Sequence, residues 1–158
     1  MSADFVINRV MHNESRVLAH SGTDTETDHT VARLVGELFE EAPAAERRRL
    51  LDQLLPFMGV LGLVAVANGI FARLRLRADG MSAHVRLEDV AQVRANDVTV
   101  LVERLQLMRV EAVDGLVHWV SGSPVLASSA AAAMLVTLLM QRASARRHQL
   151  ARDSLLEG

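Results

Sequence analysis

The stretch 54–72, LLPFMGVLGLVAVANGIFA, decides how the rest of the chain is read. It holds no charged residue, and Asn68 is its only strongly polar side chain. Arg47, Arg48 and Arg49 precede it; Arg73, Arg75 and Arg77 follow. Pro56 suits the first turn of a helix, where its missing N–H costs nothing. Gly62, Ala65, Gly69 and Ala72 recur at helical spacing, which predicts a seam of small residues along one face. Such a seam lets another helix backbone approach closely. A helix apolar all round is either a central core helix or a membrane span. A span needs ~20 mostly apolar residues, so the stretch is just long enough. The run 122–140 is a second, weaker candidate. The expectation is that 54–72 packs against 124–140, its seam meeting Ala127, Ala130, Ala131 and Ala133.

Working outward, 158 residues suffice for a single domain with a sizeable core. It divides into an acidic helical part (1–53), the central apolar helix (54–72), a part with two hairpins (73–122) and a long C-terminal helix (123–158). Half of the residues are hydrophobic, with few aromatics, so the core must come from Val, Leu, Ala and Met. With no Cys, disulfides, thiolate metal sites and Cys nucleophiles are excluded. All basic residues are Arg, which with abundant Ala fits a GC-rich, bacterial coding bias. A net charge of −2 gives no global drive toward nucleic acid. The start, MSADFVINRV, lacks the basic-then-apolar order of a signal peptide, so a cytoplasmic location is expected.

Residues 4–19 read as an amphipathic helix with Val6, Ile7, Val10, Met11, Val17 and Leu18 on one face. A polar loop, 20–30, follows. The next helix turns Val31, Leu34, Val35, Leu38 and Phe39 inward, and Ala42-Pro43 ends it. A third helix buries Leu50, Leu51, Leu54 and Leu55. After Ala72 the period changes to two. Arg73 to Ala78, then Asp79-Gly80, then Met81 to Arg86 predicts a β-hairpin, because a DG pair between alternating runs favours a tight turn. A short helix at 87–94 and a helix at 97–108 come next, the latter burying Val98, Leu101, Val102, Leu105 and Met108. A second DG hairpin is expected at 109–120, with Val113 facing Leu116 and Val110 facing Trp119. Ser123 and Pro124 open the last helix. The fold class expected is mainly α: a helical bundle around a central apolar helix, with two short β-hairpins.

Little here points to catalysis. Asp24, Glu26 and Asp28 alternate as in a calcium loop, but His29 stands at the sixth position and Val35 at the twelfth. No HExxH, phosphate-binding glycine loop or GxSxG elbow occurs. No catalytic residue, metal or cofactor is expected. The first hairpin would set Arg73 opposite Arg86, with Arg75, Arg77 and His84 adjoining. Paired like charges are destabilising, so this face is the candidate anion- or partner-binding site. Self-pairing with the acidic 1–53 part, which holds ten acidic residues against six Arg, is preferred over phosphate.

The order helix, turn, helix, hairpin over 87–120 loosely resembles the winged-helix arrangement, with 97–108 as recognition helix and 109–120 as wing. That helix offers only Arg104 as a basic residue and also carries Asp97 and Glu103, which suits phosphate poorly. The function expected is a non-enzymatic protein-interaction or assembly module, a homo-oligomer or the binder of a protein partner, with no small-molecule substrate. The alternatives are a small inner-membrane protein spanning at 54–72 and 122–140, and a winged-helix-like DNA-binding regulator.

Overall fold

Helix α1 spans 24–41 in the computed structural model, which describes residues 22, 24–77 and 85–156, with Leu76 and Arg77 as backbone only. The helix predicted at 4–19 lies outside these residues. α1 begins inside the segment read as a polar loop: Asp24, Glu26 and Asp28 are helical. Val31, Leu34, Val35, Leu38 and Phe39 are all buried, as their spacing predicts. Pro43 separates α1 from α2 (Ala44–Leu54), which buries Leu50, Leu51 and Leu54.

The stretch 54–72 is not one helix. Leu54 ends α2, and a 3-10 turn, Leu55–Phe57, carries Pro56 in its first positions. Met58 and Gly59 are extended, and α3 runs only from Val60 to Val64. Val66 is extended, and Ala67, Asn68 and Gly69 follow at φ of 47°, 55° and 73°. α4 (Ile70–Arg77) then resumes the helix and packs back on α3. Left-handed backbone costs an L-residue roughly 1–2 kcal/mol, which Ala67 bears; Asn tolerates it better and Gly bears no such cost. The predicted seam is therefore dispersed. Gly62 lies in α3, Ala65 is exposed beyond its end, Gly69 sits in the left-handed turn, and only Ala72 is fully buried.

The hairpins are overturned wherever the chain is described. Residues 73–77 belong to α4, and 78–84 lie outside the described residues. The second hairpin is instead two helices, α7 (Val110–Asp114) and α8 (Leu116–Gly122). Gly115, expected in a tight turn that needs positive φ, sits at φ −61°. The reason is in the burial: Ala112, Val113, Leu116, Trp119 and Val120 all face inward. Their spacing is that of a helical stripe, which an alternating strand would have split between two faces. Trp119 anchors α8 by donating from Nε1 to the Glu46 carbonyl of α2 at 3.2 Å.

Between these lie α5 (Leu87–Val90) and α6 (Ala95–Met108). α6 buries Val98, Leu101, Val102 and Leu105, as expected, while Met108 is exposed. α9 (Pro124–Ala127) and α10 (Ala130–Leu156) complete the chain.

α1 and α6 pack antiparallel to each other. Gln106 reaches the Asp28 carbonyl at 2.8 Å, and His29 meets Glu103 at 2.6 Å. Further along, Gly36 crosses Ala95 and Thr99. A Cβ on Gly36 would lie 2.3 Å from Thr99 Oγ1 and 2.8 Å from the Ala95 carbonyl oxygen. Only glycine allows this approach. α10 packs on α8 and α9, and α3 packs on α4 and the left-handed turn.

Candidate interaction surface

α10 begins after Ser129, whose Oγ accepts the Ala132 N–H at 3.3 Å. Ala132, Leu135 and Leu139 form its buried stripe. At 100° per residue that stripe continues through Arg142 and Arg146. Both arginines are held by the body of the protein. Arg142 donates to Gln106 Oε1 at 2.7 Å and pairs with Asp28 Oδ1 at 2.7 Å. Gln106 in turn donates to the Asp28 backbone, so Asp28, Gln106 and Arg142 close a ring that ties α1, α6 and α10 together. One turn on, Arg146 pairs with Asp114 of α7. The Arg142 side chain is only 16 % exposed. Burial pushes the Asp28 carboxyl above its usual range; Arg142 and Arg146 oppose the shift and Asp24 adds to it.

The opposite face of α10 is reversed in character. Ala130, Ala133, Met134, Thr137, Met140 and Gln141 share it, and all are exposed. None carries a charge. Along this part of the helix Arg142 and Arg146 turn inward, and Met134 and Met140 turn to water. Beyond Arg146 the helix leaves the body: every residue from 147 to 156 is exposed, a projection of about 15 Å. It carries Leu150, Leu155 and Leu156 at 68 %, 81 % and 84 % exposure. A second apolar surface lies around α3, where Phe57, Val60, Leu61 and Val64 face out.

The residues singled out from sequence do not converge. Arg73 is exposed on α4, and Arg86 is exposed just before α5. Because 73–77 is helical, the expected cross-strand pairing of Arg73 with Arg86 does not form. The Arg77 side chain and His84 lie outside the described residues. Arg75 donates from Nη1 to the carbonyls of Leu55 and Met58, at 2.8 and 2.7 Å. It thereby ties α4 to the two ends of the 3-10 turn, sharing the Leu55 carbonyl with the Met58 N–H.

An open groove of about 540 Å³ lies between the end of α1 and the start of α6, lined by Phe39, Glu40, Arg47, Val93, Arg94 and Asn96. Its Arg47 is internally held: the guanidinium lies 5.4 Å from the Phe39 ring centroid, and Nε donates to the Ala42 carbonyl at 2.8 Å. Among the described residues, no three His, Asp or Glu side chains are grouped so as to hold a metal ion. No helix among them is long and apolar enough to cross a membrane. The segment read as a wing is helical. Comparison with protein-family models, curated proteins and solved structures finds no match.

Proposed function

We propose that the protein is a non-enzymatic assembly module that forms a homo-oligomer through the outer face of α10. The observation that carries this reading is the reversal of α10: Arg142 and Arg146 are engaged inside while Met134 and Met140 face out. Exposed apolar patches of this kind mark interaction surfaces. A second copy fits the face because the stripe from Ala130 to Gln141 is uncharged, so two copies meet without like-charge repulsion. Its alanines permit close backbone approach, and its methionines adapt to an imperfect fit. The projecting end extends the contact toward the ~800 Å² per partner of a stable interface. In this reading the α1–α6 pair is the centre of a helical bundle in a cytoplasmic protein. Arg73 and Arg86 are kept as exposed cations available to a partner.

The test is light scattering on the parent and on the double variant Met134→Glu/Met140→Glu. The parent associates with rising concentration, and the variant loses the contact through α10 and associates to a lower order with unchanged helicity. A parent that is strictly monomeric at high concentration ends the reading.

A further inference from the structure

The corner between α3 and α4 separates the chain into two halves that hold each other. Residues up to Val66 supply α1, α2 and α3; residues from Ile70 supply α4 to α10. The principal polar ties cross between the halves: Asp28 to Arg142, Gln106 to the Asp28 carbonyl, Arg75 to Leu55 and Met58, and Trp119 to Glu46. The Val85 N–H likewise donates to Asp52 Oδ1 at 2.7 Å. So does the close crossing of Gly36 over Ala95 and Thr99. One short segment connects the halves, and it is strained: Val66 is extended and Ala67, Asn68 and Gly69 are left-handed. No proline stands between Val60 and Arg77, so in helical conformation these residues would form one rod of about 27 Å.

We infer that 66–69 is an exchange hinge, and that the protein forms a dimer in which residues up to 66 of one copy pack on residues 70–156 of the other. The choice of a second copy rests on the assembly reading; the hinge rests on the geometry of 60–77. Exchange rebuilds every tie between the halves across two chains, because the surfaces are the same. It removes left-handed backbone from both copies. It also gives the outward side chains of α3 a place: Leu61, exposed at 87 %, and Val60 and Val64 would lie along two rods that meet at the two-fold axis.

The decisive experiment uses charge reversal across the Asp28–Arg142 tie. Asp28→Arg alone and Arg142→Asp alone each place like charges together and lower the melting temperature. Refolded together at high concentration, the two variants form an exchanged heterodimer in which both ties are of opposite charge. The expected result is a dimer that melts near the parent. A mixture that melts as the sum of its two components overturns the exchange. Hinge variants give an independent reading by dilution series. Gly69→Ala disfavours the left-handed turn and tightens association about tenfold per hinge, a hundredfold for two. Ala67→Gly relieves the turn and weakens a helix, so it loosens association by a similar factor. Equal association constants for the two variants likewise overturn it. If the parent associates, loses association with Met134→Glu/Met140→Glu, yet shows no rescue on mixing, the assembly reading stands and the exchange fails.

Discussion

The α1–α6 pair and the stretch 54–72 are both rich in apolar residues, and the fold treats them in opposite ways. In the pair, Val31, Val35, Leu38, Phe39, Val98, Leu101 and Leu105 reach zero exposure. In the stretch, Leu54, Leu55, Met58, Leu63, Val66, Phe71 and Ala72 are buried, but Phe57, Val60 and Val64 are exposed among them and Leu61 stands 87 % exposed. The pair is one-sided: charged residues such as Arg33, Glu37, Glu103 and Arg104 mark its outer faces, so each helix has one way to face the core. The stretch is apolar on every side. Nothing in its pattern selects a face, and Pro56, Gly59 and Asn68-Gly69 offer places to break. Apolar content sets how much must be hidden; one-sidedness decides what is.

Core truncation gives the largest effect that bears on this comparison. Leu101→Ala should cost about 3–4 kcal/mol in urea unfolding, since the side chain is wholly buried. Leu61→Ala should change stability by less than about 0.5 kcal/mol in a monomeric sample. Equal losses at the two positions would break the comparison.

The glycines give a contrast of sign. Gly36→Ala drives a Cβ into the Ala95 carbonyl and should cost about 2–3 kcal/mol. Gly62→Ala meets only Met58 Cε, 3.1 Å away at the end of a flexible side chain. Helix propensity then favours alanine by up to about 1 kcal/mol, so the melting temperature should hold or rise.

The smallest effect concerns the polar end of the pair. Burial raises the Asp28 carboxyl above its ordinary value of 3.8, so the folded state binds that proton more tightly than the unfolded chain does. This group's contribution is greatest below 3.8 and is lost as pH rises through the raised value. Asp28→Asn should remove that decline. Urea melts of parent and variant across pH 3.5–6.5 check it: two parallel profiles would show that Asp28 is not perturbed by folding.

Much of the helical core was legible without coordinates. The inward sets of α1, α2 and α6 follow from spacing, because a helical period is a local property of the chain. The second DG pair misled; the first lies outside the described residues, although 73–77 before it is helical. A DG pair favours a tight turn, yet the buried residues flanking Asp114-Gly115 share one face only as a helix, and burial against the body chose the helix. The candidate surface was less legible. An alternating pattern aligns the arginines from Arg73 to Arg86, whereas Arg142 and Arg146 of α10 are the ones that meet Asp28 and Asp114. A stripe running 132, 135, 139, 142, 146 was present in the sequence; reading it as continuous would have turned Arg142 and Arg146 inward and exposed the methionine face.

The sequence by itself determined that the chain is mainly helical, which faces of α1, α2 and α6 are inward, and that Pro43 and Ser123-Pro124 punctuate the helices. Only the tertiary structure decided that α1 pairs with α6, that the chain doubles back through a left-handed turn at 67–69, and that Arg142 and Arg146 of α10 meet Asp28, Gln106 and Asp114. The reason is physical. Helical period and capping act over a few neighbouring residues, whereas the burial of an all-round apolar segment, the close crossing at Gly36 and the partners of an arginine depend on surfaces that lie tens of residues away in the chain.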